Sequence, residues 1–126
     1  MPYSIELEAQ YLTCKTERDA RLAAAMISAD PWMSPARMTV SARCFNNPPI
    51  DSAWRVDVQD FNGFDWDDDH AHPLWIRIAP QMADGATIEF RGEDNERWQI
   101  RWEGGRAFED YDQRVFWAAS RPLLAS

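Results

Sequence analysis

The stretch that decides the fold is residues 87–111, which read TIEFRGEDNERWQIRWEGGRAFEDY. Apolar and polar residues alternate along it, so that Trp98, Ile100 and Trp102 share one side of a strand, and Ile88 and Phe90 can pair with them. Alternation with a period of two is typical of a strand with one buried face, and Gly-rich acidic interruptions are typical of turns. The stretch therefore predicts a meander of three antiparallel strands.

Upstream segments predict two helices and three more strands. Residues 3–12, 38–45 and 54–60 alternate as strands do, and the first places Tyr11 on its apolar side. A helix is predicted from the N-cap Thr16 to the residue before Asp30. A second helix is predicted from Pro73 to about residue 83, with a kink at Pro80. Residues 115–117 are expected to add a short final strand or to dock the tail.

This order of elements predicts one α+β domain over residues 1–126, with two helices packed on a largely antiparallel sheet. A ferredoxin-like core with an added C-terminal meander is the first topology that the order suggests. The predicted core consists of the apolar residues that share one sheet face: Tyr3, Ile5, Leu7, Val40, Val56, Val58, Ile88, Phe90, Trp98, Ile100 and Trp102.

The charge balance bears on the kind of partner. The formal net charge is −8, and twelve of the thirteen basic residues are Arg. Nucleic-acid binding draws most of its affinity from cationic groups, so direct nucleic-acid binding is not expected and a basic protein partner is favoured. No apolar run approaches the ~20 residues of a membrane span, and no leader is recognisable, so we expect a protein of the bacterial cytoplasm with no membrane contact.

An acidic segment stands out between Asp57 and Asp69, which holds six aspartates and no Lys or Arg and is followed by His70 and His72. Carboxylates and imidazoles could ligate zinc or manganese. Aspartates just before Pro73 are also what a helix N-terminus favours, and we expect capping of this kind, with no tightly bound metal and no cofactor.

Signatures of catalysis are absent from the sequence, which contains no phosphate-binding loop and no nucleophile elbow. Cys14 or Cys44 could pair with His70 or His72 as a nucleophile, but the sequence alone does not place them next to each other in space. We therefore expect no enzymatic activity and name no catalytic residue.

Two tryptophans and three acidic clusters are the candidate contacts for a partner. Trp32 and Trp66 lie among charges in predicted loops, as interface anchors do. The clusters at 93–96 and 109–112 are predicted at the ends of the meander and could converge with the acidic segment. The candidate partner-binding residues are Trp32, Asp65, Trp66, Asp67, Asp68, Asp69, Glu93, Asp94 and Glu96.

Residues 78–106 resemble the C-terminal part of small uncharacterised bacterial and phage proteins, through an Ala-Pro, Gly-x-x-Ile-Glu, Gly-Glu-Asp, Trp pattern. That resemblance implies a fold element. The small acidic chain is also similar in general character to phage anti-defence proteins, including anti-CRISPR proteins. We therefore expect a phage- or mobile-element-encoded protein that inhibits a bacterial defence or nucleic-acid-handling complex by stoichiometric binding. An immunity protein that neutralises a toxin and a small metal-dependent or nucleotide-processing enzyme are the alternatives.

Overall fold

The computed structural model describes residues 5–30, 39–45, 53–59, 68–92, 95–113 and 116–123, with the backbone alone for 45, 53, 68–72, 112–113 and 116–121. Its elements, in chain order, are β1 (Ile5–Thr13), α1 (Glu17–Ala29), β2 (Thr39–Phe45), β3 (Ala53–Gln59), α2 (Asp68–Ile78), a 3-10 turn (Ala79–Gln81), β4 (Thr87–Gly92), β5 (Arg97–Glu103), β6 (Arg106–Gln113) and β7 (Phe116–Pro122).

The strands form one antiparallel sheet of seven strands in the order β2-β3-β1-β4-β5-β6-β7. The first four strands and the two helices follow the order β-α-β-β-α-β, with β3 between β1 and β2, which is the split arrangement of a ferredoxin-like core. The meander β5-β6-β7 extends this core from the free side of β4. The predicted α+β class, the core topology and the added meander are therefore confirmed, and residues 116–122 form a strand of their own.

Helix α1 begins as the sequence predicts. The Thr16 hydroxyl accepts a hydrogen bond from the Asp19 amide at 3.1 Å, which satisfies one of the free N–H groups of the first turn. At the other end, the buried carboxylate of Asp30 accepts a bond at 2.8 Å from Arg77 of α2. This ion pair links the two helices on one side of the sheet, which we call the helix side. The opposite side is the outer face.

Helix α2 differs from the prediction at both ends. It begins at Asp68, so Pro73 lies inside the helix and not at its first position. Proline has no N–H, so the carbonyl of Asp69, one turn earlier, receives no bond from it. Pro80 does not kink an α-helix either, because the chain has already tightened into the 3-10 turn at Ala79.

Strand β1 contains an irregularity that the alternation of its residues did not predict. The register with β4 shifts between Leu7 and Ala9, so Glu8 is an extra residue in β1. An extra residue reverses which side chains point to each face beyond it. Leu12 is therefore buried at 1% exposure, whereas Tyr11 is 57% exposed on the outer face, which contradicts its predicted place on the apolar side.

The core lies between the helix side of the sheet and the two helices. Trp102 donates from Nε1 to the Trp75 carbonyl at 3.0 Å, and the two rings meet edge to face with centroids 6.0 Å apart. Phe90 stacks on Trp98 at 5.8 Å. Ten of the eleven predicted core residues are buried or pack against the core, and Tyr3 lies outside the described residues.

Candidate functional site

One end of the sheet gathers most of the acidic connections. Because all neighbouring strands are antiparallel, β3, β4 and β6 end there, and β1, β2, β5 and β7 begin there. The connections that leave from this end are residues 31–38, 60–67, 93–96 and 114–115. We call it the acidic end.

The charge of the connections differs between the two ends of the sheet. At the acidic end they contain six acidic and two basic residues. At the opposite end, residues 14–16, 46–52, 79–86 and 104–105 contain two acidic residues and one basic residue. Helix α2 also begins at the acidic end, with Asp68 and Asp69 in its first turn. The segments that connect the strands at the acidic end therefore carry more negative charge than those at the opposite end.

All nine candidate partner-binding residues belong to segments that leave from the acidic end. Glu96 is exposed in the turn before β5. Asp68 and Asp69 are described by their backbone alone. The other six lie outside the described residues: Trp32, Asp65, Trp66, Asp67, Glu93 and Asp94. Sequence spacing did not establish that segments about thirty residues apart share one end, since that depends on strand order.

The strands at the acidic end carry balanced charge on the outer face. Arg91 of β4 lies directly opposite both Glu6 of β1 and Arg97 of β5. Two like charges opposite each other are unfavourable, and the Glu8 carboxylate offsets them by approaching the Arg91 Nε to 2.9 Å. The net negative charge of this end therefore comes from its connections. Sequence reasoning missed Glu6 and Glu8, although both belong to the polar side of the predicted first strand.

Two of the acidic residues singled out in the sequence serve the sheet itself. The first member of the acidic segment, Asp57, lies on β3 and accepts a bond from Arg43 at 3.0 Å. Asp110 lies within β6, where it is 3% exposed and accepts bonds from Gln99 at 2.6 Å and Arg101 at 2.9 Å. The hydrogen bond to Asp110 is the main cause that raises the pKa of the Arg101 guanidinium.

The cluster at 109–112 is therefore not a solvated turn, as its acidity had suggested. Glu109 is fully buried on the helix side, where the register places Arg121 of β7 opposite it. Carboxylates enter a sheet interior when hydrogen bonds or opposite charges replace the lost water. This cluster contributes to the structure of β6. The acidic clusters that can still converge are those at 57–69 and 93–96.

The exposed side chain of Tyr11 adds an aromatic group to the outer face. It stands in the third strand of the sheet, opposite Thr87. Tyrosine suits protein interfaces because its ring supplies apolar area while its hydroxyl remains hydrogen-bonded. Tyr11 is exposed because of the bulge at Glu8, and the alternation of residue types does not predict that bulge.

The described residues contain no cluster of three His, Cys, Asp or Glu side chains that could hold a metal ion. The side chains of His70 and His72 are not among those described, so the expectation that no metal binds stays a prediction. Both cysteines are free thiols, Cys14 buried and Cys44 exposed. Burial raises the pKa of the Cys14 thiol to about 11, with a further contribution from the nearby Asp19 carboxylate.

Comparison with known proteins shows no match to a family model, a curated protein or a solved structure. Neither of the described helices has the length and apolar content needed to cross a membrane.

Proposed function

We propose that this protein acts by stoichiometric binding and has no enzymatic activity. Its acidic end occupies a basic surface on a bacterial defence or nucleic-acid-handling complex of the CRISPR type. The observation that supports this proposal most is the charge of the connections at that end, since six of their eight charged residues are acidic. Charge of one sign concentrated on one surface steers association with a surface of the opposite sign.

The class of target follows from the chemistry of such a surface. Large basic surfaces in bacterial cells are those that hold the phosphate backbone, because neutralising phosphates requires many Lys and Arg side chains. A protein that presents carboxylates in place of phosphates competes for that surface without being a nucleic acid. The chain's overall charge of −8 is consistent with such competition.

The proposed origin in a phage or mobile element rests on the resemblance over residues 78–106. These residues include the 3-10 turn, β4 and β5 of the sheet scaffold, and also the connection at 93–96. The resemblance therefore bears on the ancestry of the scaffold and of the connection at 93–96, whereas the rest of the proposed contact lies outside it.

A capture experiment tests the proposal directly. The tagged chain is incubated with lysate of a bacterium that carries a defence system, and bound proteins are identified by mass spectrometry. We expect a basic nucleic-acid-binding complex whose DNA or RNA is displaced as one equivalent of this protein is added. Nucleic-acid binding that is unaffected at a tenfold excess would contradict the proposal.

A matched variant tests the site. Replacing Asp67 and Asp68 with Asn removes two charges from the acidic end, and capture should be weakened. Replacing the exposed Glu17 and Glu103 with Gln removes charge from other parts of the surface, and capture should be retained. Equal capture by both variants would show that the acidic end is not the contact.

A further inference from the structure

A groove runs between α1 and β2 at one edge of the sheet. Its volume is about 440 Å³, and its described walls are Arg21, Ala24, Ala25, Ser28, Val40, Ser41 and Ala42. Successive strand residues point to opposite faces, yet three consecutive residues of β2 line the groove. The groove therefore reaches the edge of β2 as well as its helix side, and its walls are built mainly from small side chains.

Strand β2 is an edge strand, with β3 as its neighbour on one side. It pairs with β3 over seven residues with no shift of register, so the strand is regular along its whole length. Edge strands of monomeric proteins are usually protected by Pro, Lys, a bulge or an inward-pointing charge. The sequence of β2, TVSARCF, contains no Pro or Lys, and its one charge, Arg43, is held on the outer face by Asp57.

The opposite edge is different. Strand β7 ends in Arg121 and Pro122, and its register with β6 shifts between Tyr111 and Asp112. Proline and bulges are features that prevent another strand from pairing with an edge. Among the residues that the structure describes, β2 is the edge that lacks such protection and can accept another strand.

We propose that β2 pairs antiparallel with β2 of a second copy of this chain, so that two sheets join into one and the two α1 helices meet over the grooves. A two-fold axis at Ala42 pairs all seven residues of each strand and places Ser41 opposite Arg43 of the second copy. An axis at Arg43 would instead place two guanidinium groups opposite each other, which is unfavourable. Such an interface is isologous, so each copy supplies both the strand and the groove.

The charge distribution favours this edge over other surfaces of the molecule. A chain with a net charge of −8 repels its own copies, and repulsion is weakest where acidic side chains are fewest. The described groove walls and β2 carry Arg21 and Arg43 and no acidic residue. Each of these two arginines already has a carboxylate partner, Glu17 at 2.9 Å and Asp57 at 3.0 Å. Two copies can therefore approach at β2 without bringing net charge together.

Sedimentation equilibrium of the full chain, from about 5 to 500 µM protein, tests for the dimer. We expect a species of about 29 kDa, twice the 14.6 kDa of one chain. Its dissociation constant should fall as salt rises from about 0.05 to 0.5 M, because salt screens the repulsion between acidic copies. Binding of a basic partner should instead weaken as salt rises. The salt dependence therefore distinguishes a failure of the dimer from a failure of the proposed function. A monomer at every concentration would overturn the dimer.

Two exposed positions on α1 provide a matched pair of variants. Ala25 lines the groove and Leu22 does not, although both side chains face solvent in one copy. Ala25→Glu should raise the dissociation constant of the dimer at least tenfold, because it places a negative charge from each copy in the interface. Leu22→Glu adds the same charge outside the groove and should leave the dimer intact. Equal effects of the two changes would rule out the groove as the contact.

A cross-linking test covers the case in which Ala25→Glu does not fold. In a Cys44→Ser background, Ala42→Cys places two thiols across the axis, where paired residues have Cα atoms about 4.5–5.5 Å apart, within reach of a disulfide. Oxidation should give a covalent dimer. Ser41→Cys in the same background should cross-link poorly, because its two copies lie on opposite sides of the axis. A dimer that Ala42→Cys does not trap would show that another surface joins the copies.

Discussion

The side chain of Gln10 takes the place of a missing strand partner for Val58. Its Nε2 donates to the Val58 carbonyl at 2.7 Å, and its Oε1 accepts from the Val58 amide at 2.8 Å. Direct pairing between β1 and β3 is limited to Leu12 with Val56 and Thr13 with Arg55. Past these two pairs, the amide side chain of Gln10 supplies the donor and the acceptor that a neighbouring strand would have supplied. Gln10 therefore links the β2-β3 hairpin to the rest of the sheet.

Replacing Gln10 with Leu should lower the free energy of unfolding by ~2–4 kcal/mol. Val58 is buried, and each buried backbone group left without a partner costs ~1–3 kcal/mol. Urea denaturation followed by tryptophan fluorescence measures the change. Gln59→Leu is the control, because that side chain is exposed and bonds to Asp57. Similar losses in both variants would show that Gln10 does not carry the link.

Removing the carboxylate of Asp110 should also destabilise the chain. Asp110→Asn weakens the bond from Arg101 and the bond from Gln99 in a buried setting, and we expect a loss of ~2–3 kcal/mol. Glu103→Gln is the control on the same guanidinium, because Glu103 is 64% exposed and pairs with Arg101 at 2.6 Å. An exposed ion pair contributes ~0–1 kcal/mol, so the control should unfold almost as the native chain does. Denaturation midpoints in the reverse order would contradict the assignment.

The two cysteines should differ in reactivity toward a thiol reagent at pH 8. With a pKa of about 11, the Cys14 thiol is ionised in roughly one molecule in a thousand at that pH, and it is also buried. Cys44 is exposed and should react first. We expect one rapid equivalent per folded chain, lost in Cys44→Ser, and a second only after unfolding. Two rapid equivalents from the folded chain would be incompatible with the buried position of Cys14.

The same raised pKa predicts how stability depends on pH. An unfolded cysteine ionises near pH 8.5–9, whereas folded Cys14 stays neutral up to about pH 11. Stability from the neutral thiol is thus complete below about pH 9 and declines between about pH 9 and 11, because the unfolded chain loses its proton first. The decline should be smaller in Cys14→Ala than in the native chain, as measured by urea denaturation at several pH values. An unchanged slope would remove Cys14 as its cause.

The triple change of Asp67, Asp68 and Asp69 to Asn separates an interface from a helix cap. An interface predicts that the native chain associates more slowly with the captured partner as salt rises above ~0.15 M, where the Debye length is about 8 Å, and that the triple variant associates slowly even at low salt. Capping of α2 predicts a loss of ~0.5–2 kcal/mol in stability with little change in the association rate. Melting temperature and association rate are measured on the same variant. An unchanged rate would remove this segment from the proposed contact.

The sequence alone predicted the elements whose local signals agree with one another. Thr16 begins α1 because its hydroxyl caps the first turn of the helix, and the alternation around Trp98 marks a strand with one apolar face. The order of these elements was enough to predict a ferredoxin-like core with a meander. The acidity of the clusters and the net charge also follow from composition.

Only the tertiary structure decided which of these features meet. The extra residue at Glu8 turns Tyr11 out to solvent, and pairing across strands, not periodicity, creates that bulge. Asp110 and Glu109 look like turn residues, but both are buried within β6, and Gln99 and Arg101 of the neighbouring strand compensate Asp110 for its lost hydration. The end of the sheet that the acidic connections share, and the position of β2 at an edge, both depend on strand order. Strand order is set by long-range packing, which no local pattern of residues encodes.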